Sequence, residues 1–305
     1  MSTTIRIGTR DSELALWQAN TVKNKLEALG YKTQLLPVKS TGDLNLDQPL
    51  YEMGITGIFT KTLDIAMIKG DIDIAVHSMK DVPTSLPKGI VQAAVLPRAN
   101  VHDILLHKGL DFLASSGTIA TGSLRRKAQW LHHYPTHKIV NLRGNVNTRL
   151  RKLEDNEDWN GAIFAAAGLE RINLKPETHQ VLDWMTPAPA QGAMLIVVNE
   201  SNAHAKEAAE QLNDEKTARC VHVERDFLKK LEGGCTAPIG ALAEFKNEND
   251  ISFTGNLYSL DGTRKLEEKA IFKADDYHRI GQILAQKVLD NGGRELMRSI
   301  KAELE

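Results

Sequence analysis

The feature that most constrains the fold is a repeated alternation of short β-branched runs with amphipathic stretches over the first two thirds of the chain. Ile5-Arg6-Ile7 is typical of a strand, and apolar residues between Glu13 and Leu29 recur at helical spacing before Gly30. The same order of strand, polar turn and helix returns near residues 72–81, 118–123, 138–145 and 162–168. Strands that alternate with helices usually pair in parallel, so the sequence predicts an α/β fold.

Length and proline positions predict how this fold is divided. A chain of 305 residues that is 42% hydrophobic can bury two or three cores. Pro97 and the run Pro187-Ala188-Pro189 each flank a change of periodicity, which is typical of a boundary. We expect one lobe from residues 1–96 and 190–212, a second lobe from 97–189, and a small α+β domain from 213–305, with crossing segments as a hinge between the lobes.

Charge and cysteine content exclude several classes of protein. Lys and Arg total 38 against 39 acidic residues, and this balance gives no general attraction to nucleic acid or to an anionic membrane. The amino terminus has neither the basic stretch nor the apolar run of a secretory signal, and no segment has the length of a membrane span. With two cysteines there is no disulfide scaffold, so we expect a cytoplasmic protein.

Arginines are concentrated in the turns that follow predicted strands. The run Ser123-Leu124-Arg125-Arg126-Lys127 places three cations in the first turn of a helix, where each is disfavoured by roughly a few tenths of a kcal/mol unless an anion lies against it. Arg143-Gly144-Asn145 precedes a helix that carries Arg149, and Arg10 follows the first strand. A single arginine is most often solvated. Three such turns favour a ligand rich in carboxylates or phosphates.

Two further positions have the chemistry of a site. Lys80 and Asp81 follow a strand that should be buried, where a carboxylate can act as an acid or base or stabilise a developing cation. An aspartate that caps the turn before Val82-Pro83 explains Asp81 equally well. Cys235 follows two glycines on a loop, and an accessible thiol can attach an organic group covalently. Cys220, inside a predicted helix, fits an inert buried residue better.

Three histidines, His132, His133 and His137, could suggest a metal site. They lack a cysteine or carboxylate at ligand spacing, so a solvated helix end is the better interpretation. No nucleotide-binding fingerprint is present either.

Seven motifs occur in a fixed order over essentially the whole chain. They are Ile7-Gly8-Thr9-Arg10, Leu14-Ala15-Leu16-Trp17-Gln18, Ala75-Val76-His77-Ser78-Met79-Lys80-Asp81-Val82-Pro83, Gly122-Ser123-Leu124-Arg125-Arg126, Asn141-Leu142-Arg143-Gly144-Asn145, Ala188-Pro189-Ala190-Gln191-Gly192 and Gly233-Gly234-Cys235. With these motifs in this order, the chain resembles the porphobilinogen deaminase (hydroxymethylbilane synthase) family.

The resemblance implies both a fold and a reaction. The fold would be two lobes like those of type II periplasmic binding proteins, joined by crossing segments, plus a small C-terminal domain. The reaction would condense four porphobilinogen molecules with release of ammonia and hydrolyse the product from a dipyrromethane cofactor. Cys235 matches the position where that cofactor is held by a thioether. The protein is expected to be a monomer.

Residue roles follow from the same resemblance. Asp81, with Lys80, would be catalytic by stabilising the cationic azafulvene that forms as ammonia leaves. Thr56 and Phe59 would lie in a mobile lid, with Thr56 where lysine is frequent. Cofactor and substrate would be bound by Cys235, Arg10, Ser12, Ser78, Lys80, Asp81, Thr121, Ser123, Arg125, Arg126, Arg143, Gly144, Arg149, Arg171 and Gln191.

Two other classes of protein share some of these features. Two arginine-lined α/β lobes would also suit a non-catalytic receptor for anions, although such a receptor is normally exported. A nucleic-acid-binding protein would need more positive charge and more aromatic residues near the arginines. A pyrrole adduct on the purified chain would separate the three.

Overall fold

The structure is a computed structural model that describes residues 4–38, 60–231 and 237–304. Cys235, Thr56 and Phe59 therefore lie outside the described residues. The described chain divides into two compact units. Unit 1 consists of residues 4–38, 60–99 and 192–218, and unit 2 of residues 100–191, 219–231 and 237–304.

Unit 1 is built on a five-stranded mixed sheet. Its strands are β1 (Ile5–Thr9), β2 (Thr33–Pro37), β3 (Ile74–Ser78), β4 (Ile90–Val95) and β10 (Met194–Asn199), and its helices are α1 (Glu13–Ala28), α2 (Lys61–Ile68) and α6 (Ala203–Glu210). The strand order is β2-β1-β3-β10-β4. Strand β1 pairs in parallel with β2 and β3, whereas β10 is antiparallel to both β3 and β4.

The core of unit 1 follows from the two periodicities of its sequence. Alternate residues of the strands, among them Ile5, Ile7 and Ile74, pack against the buried face of α1. The side chain of Ser12 caps α1, and Gly30 follows its end with φ 90°, a value that glycine adopts without strain. Trp17, placed by its spacing on the apolar face of this helix, is 38% exposed.

Unit 2 contains a second five-stranded sheet. Its strands are β5 (Asp103–His107), β6 (Thr118–Ala120), β7 (Lys138–Val140), β8 (Gly161–Ala165) and β9 (Gln180–Val181), and its helices are α3 (Leu124–His133), α4 (Val146–Asp155) and α5 (Ala166–Arg171). The strand order is β7-β6-β8-β5-β9, in which β6 is parallel to β7 and β8, and β5 is antiparallel to β8 and β9. The two sheets have the same arrangement. In each, three parallel strands lie in the order second, first, third along the chain of that unit, and the third strand is followed by an antiparallel strand and then by an edge strand.

The C-terminal part of unit 2 is a small α+β layer with its own hydrophobic core. Its elements are α7 (Glu215–Lys230), which begins in unit 1, β11 (Ile239–Phe245), β12 (Asp250–Tyr258), β13 (Lys265–Lys273), α8 (Tyr277–Val288) and α9 (Arg294–Leu304). The three strands are antiparallel, in the order β11-β12-β13. Cys220 lies in this core and is 5% exposed, so the interpretation of this thiol as a buried residue is confirmed.

The chain passes between the units at the segments that the prolines marked. It leaves unit 1 after residue 99 and returns to it at residue 192. Ala99 N donates to Gly192 O (3.1 Å) within unit 1, and Gln191 Nε2 donates to Val101 O (2.8 Å) within unit 2. The predicted α/β class, with two lobes and a small C-terminal α+β part, is confirmed. The detailed division at residues 96/97, 189/190 and 212/213 stays a prediction.

Candidate functional site

In unit 1 the predicted site residues lie at one edge of the sheet. Because β1 and β3 are parallel neighbours, with Gly8 paired to Ala75, their carboxyl ends meet at the same edge. Arg10 and Ser12 follow β1, whereas Ser78, Lys80 and Asp81 end or follow β3. The two turns that carry these residues therefore lie at the same edge of the unit 1 sheet.

Lys80 and Asp81 are held by a short 3-10 turn, Met79–Asp81, directly after β3. Met79 is buried and anchors the turn in the core, while Lys80 and Asp81 are only half-buried. Val82 N closes the turn by donating to Met79 O (3.2 Å). An anchored backbone with two partly exposed charged side chains suits a group that must meet a ligand in a fixed position.

The polar residues behind this turn are largely buried. Ser78 Oγ accepts a hydrogen bond from Gln18 Nε2 (2.8 Å), and Gln18 is 2% exposed. His77 is 6% exposed, and burial, together with the positive charge of Arg10, lowers its pKa to about 4. The imidazole is therefore neutral near pH 7, and it adds no positive charge beside Arg10.

Unit 2 has an equivalent edge, formed by the carboxyl ends of β6, β7 and β8. Thr121 and Ser123 follow β6, and Ser123 caps α3 by accepting from Arg126 N (3.4 Å). Arg143 and Gly144 follow β7, and Gly144 O accepts from Arg149 Nε (2.8 Å). Gly144 has φ 117°, and a Cβ there would lie 2.7 Å from Thr148 Cγ2, which explains the requirement for glycine at this position.

Three predicted ligand-binding residues of unit 2 converge on a carboxylate, Asp103, that the sequence analysis missed. Asp103 is 0% exposed at the start of β5. Its Oδ1 accepts from Arg126 Nε (3.0 Å), Arg126 Nη2 (2.8 Å) and Gln191 Nε2 (3.0 Å). Its Oδ2 lies 2.8 Å from Arg125 Nη1. The anion that relieves the cations at the start of α3 is therefore, in part, a residue of the chain itself.

Burial of the arginines is the main electrostatic feature of this edge. Arg125, Arg126 and Arg143 are 4%, 6% and 3% exposed. Desolvation lowers the pKa of Arg125 and of Arg143 at this edge, and it lowers the pKa of Arg171, the last residue of α5, to about 10. Desolvated guanidinium groups are stabilised by an anion far more than solvated ones are, which suits carboxylate binding.

Two further features could not be read from the sequence. Glu224 is 0% exposed and accepts from Ala190 N (2.6 Å) and Ala243 N (2.7 Å), which fixes the turn before Gln191, where Ala190 has φ 63°. His137 is buried and accepts from Trp130 Nε1 (3.2 Å), so its interpretation as a solvated residue was wrong. No signal for either was present in the sequence, since Arg225 and Asp226 follow Glu224, and His137 stands between Thr136 and Lys138.

Neither the cofactor thiol nor the lid can be compared with the structure, since Cys235, Thr56 and Phe59 are outside the described residues. Within residues 4–38, 60–231 and 237–304, no cluster of His, Cys, Asp and Glu is arranged to hold a metal ion. In the same ranges, no helix is both long enough and apolar enough to cross a membrane.

Comparison with known proteins gives one consistent result. The family model for the dipyrromethane cofactor binding domain of porphobilinogen deaminase matches residues 5–207, and the model for the C-terminal domain of the same enzyme matches residues 218–290. The porphobilinogen deaminase of a Nitratiruptor species is 40% identical over 303 residues, covering 98% of this chain and 97% of the relative. The porphobilinogen deaminase of Geotalea uraniireducens is 40% identical over 303 residues, covering 97% of this chain and 95% of the relative.

Among solved structures, the periplasmic VFT2 domain of BvgS from Bordetella pertussis is similar in fold. It covers 68% of this chain and 86% of its own, with 10% identity and a TM-score of 0.42.

The chain thus belongs to a family of transferases that carry a dipyrromethane cofactor binding domain. That family is the porphobilinogen deaminases, the hydroxymethylbilane synthases of tetrapyrrole biosynthesis, whose substrate is porphobilinogen.

Proposed function

We propose that this chain is a hydroxymethylbilane synthase that condenses four porphobilinogen units, releases one ammonia per unit and hydrolyses the product to hydroxymethylbilane. Each condensation forms a carbon–carbon bond between the aminomethyl carbon of one pyrrole and an unsubstituted carbon of the next. The bond between the aminomethyl carbon and its nitrogen breaks, the nucleophilic ring carbon loses a proton, and the amine takes up one proton and leaves as ammonia. A non-catalytic receptor for anions, the alternative from the sequence, is not favoured by the family match.

The observation that carries the proposal is the set of desolvated guanidinium groups at the carboxyl edge of the unit 2 sheet. Each pyrrole has an acetate and a propionate side chain, so the growing chain gains two carboxylates per unit. Arg143 and Arg171, whose pKa values are lowered by burial, gain stability when a carboxylate lies against them. Thr121, Ser123, Gly144, Arg149 and Gln191 belong to the same proposed binding surface.

In unit 1, Asp81 is proposed as the residue that stabilises positive charge on the substrate as ammonia leaves. Its position on an anchored turn, with a half-buried carboxylate, supports this role over simple turn capping. Lys80, Arg10, Ser12 and Ser78 would bind carboxylates at the same edge. The neutral imidazole of His77 leaves the local charge to Arg10, Lys80 and Asp81.

The arginine-rich donor set fits a cofactor that carries acetate and propionate groups. When bound, dipyrromethane supplies a nucleophilic pyrrole carbon to which substrate units are added. We propose that the Cys235 thiol holds it by a thioether and that the segment with Thr56 and Phe59 covers the bound pyrroles. The match to the cofactor binding domain supports the cofactor itself, and Cys235 rests on the Gly-Gly-Cys motif.

Mass measurement of the denatured protein tests the attachment. The wild-type protein should be heavier than its sequence by the mass of a dipyrromethane, and Cys235→Ser should have the sequence mass and no turnover. Cys220→Ser, which changes the buried cysteine, is the control and should keep both adduct and activity. An active enzyme without an adduct, or an adduct that persists in Cys235→Ser, would contradict the assignment.

We further infer a cytoplasmic monomer that acts without nucleic acid or a membrane. The near-zero net charge supports the absence of a general attraction to nucleic acid or to an anionic membrane. Sedimentation of the purified protein tests the oligomeric state.

A further inference from the structure

Asp103 is the buried centre of a charged cluster that includes two of the proposed ligand-binding arginines. Arg126 is held by three nitrogens: Nε and Nη2 donate to Asp103 Oδ1, and Nη1 donates to Ile163 O (2.9 Å). Arg125 is held at one nitrogen, since Nη1 makes both its contact with Asp103 Oδ2 and its hydrogen bond to Thr186 O (2.8 Å). The two guanidinium groups are therefore restrained to different degrees.

The charges of the cluster do not cancel. Two guanidinium charges against one carboxylate leave one positive charge in a region where all three side chains belong to residues that are at most 6% exposed. Desolvation and, to a smaller extent, repulsion by Arg126 lower the pKa of Arg125, whereas Asp103 raises it. Asp103 thus stabilises two adjacent buried cations and leaves an excess charge for an anionic ligand.

We propose that Asp103 is a positioning residue that orients Arg125 for the carboxylates of cofactor and substrate. The inference rests on the proposed function, because it assumes that the ligand is a pyrrole carboxylate. Asp103 acts through Arg125 and does not itself touch the ligand. Arg126 holds the carboxylate from the other side, and Gln191 Nε2 fixes Oδ1 as well (3.0 Å).

Asp103→Asn tests this role with little change in volume. The new amide can keep its oxygen toward Arg126 and Gln191, but its NH2 group then faces Arg125 Nη1, donor against donor, across a distance that is now 2.8 Å. We expect KM for porphobilinogen to rise about tenfold, with kcat within about twofold of wild type, because the loss of a buried supporting carboxylate weakens orientation.

The direction of this change separates two explanations. If the charge of the cluster alone determined binding, the removal of Asp103 would raise that charge and lower KM. A lower KM, or an unchanged one, would overturn the positioning role. A double variant tests the same point. When Arg125 is already replaced by Gln, Asp103→Asn should alter KM by less than about twofold. A larger effect in that background would also overturn the positioning role.

Asp73→Asn is the matched control. Asp73 accepts from Arg6 N (2.8 Å), Arg6 Nε (3.0 Å) and Asn202 Nδ2 (3.0 Å), but it lies before β3, at the opposite edge from Asp81. The variant Asp73→Asn should lower the unfolding temperature and leave KM for porphobilinogen unchanged. Equal changes of KM in both variants would show that Asp103 is merely structural.

A measurement on the wild-type holoenzyme needs no variant to fold. With ¹⁵N-labelled arginine, the Nε–H of Arg126 should exchange with solvent much more slowly than that of Arg264, a side chain that is 48% exposed. Exchange of Arg126 as fast as that of Arg264 would overturn the proposed cluster. If wild-type protein forms no adduct and consumes no porphobilinogen, the proposed function fails, whereas this exchange result still decides the geometry.

Discussion

The buried His77 makes folding of unit 1 sensitive to acid. His77 lies in the central strand β3, opposite Leu195 of β10, and its Nε2 is buried without a hydrogen-bond partner among the described residues. Burial and the charge of Arg10 lower its pKa from 6.5 to about 4. Protonation of the folded protein therefore requires a much lower pH than protonation of the unfolded chain.

The sign and size of the effect follow from linkage. Above about pH 6.5 the imidazole is neutral in both states, so this stabilisation is fully present. As the pH falls from 6.5 toward 4, the unfolded chain binds a proton that the folded protein does not bind, and stability is lost. A shift of that size corresponds to about 3 kcal/mol, since one pKa unit is about 1.4 kcal/mol.

The assay is urea unfolding of wild type and of His77→Gln between about pH 4.5 and 7.5, a window that contains the protonation step of the unfolded chain and ends just above that of the folded protein. Below about pH 6 the free energy of unfolding of wild type should fall more steeply with decreasing pH than that of His77→Gln. The difference in slope should reach about 1.4 kcal/mol per pH unit, because wild type takes up one more proton on unfolding. His137, which also has a lowered pKa, contributes to both proteins and cancels in the difference.

Direct titration by NMR checks the same pKa. If the His77 imidazole titrates between about pH 6 and 7 in the folded protein, near the ordinary histidine value, or if His77→Gln has the slope of wild type, the burial argument is refuted.

Two further predictions concern the catalytic turn and the packing of the C-terminal part. Asp81→Ala should lower kcat at least about a hundredfold while the adduct mass remains, because charge stabilisation on this scale comes from single positioned groups. Asp111→Ala, at another 3-10 turn, is the control and should have a kcat near that of wild type. A kcat near that of wild type in Asp81→Ala would remove Asp81 from the mechanism. Gly262→Ala should destabilise by about 1–3 kcal/mol more than Gly30→Ala, since both have positive φ but only the Gly262 Cβ would meet Ala128 O (2.4 Å). Thermal unfolding measures the difference, and equal losses would contradict the steric argument.

The sequence was sufficient for the parts of the fold that depend on periodicity. β1 and α1 lie within a few residues of their predicted bounds, because alternation and helical spacing report burial directly. Trp17 shows the limit of this reasoning: an apolar residue at core spacing can remain 38% exposed, since spacing does not show what packs against a helix.

The site was harder to predict because its partners are distant in sequence. The cations at the start of α3 predicted an anion, and the anion was assigned to a ligand. Asp103 and Arg125 belong to different elements, and the pairing of β5 with β8, whose Ile163 O also binds Arg126, brings them together. Among the described residues of this cluster, two guanidinium groups share one carboxylate, so a ligand carboxylate as the second anion stays a prediction.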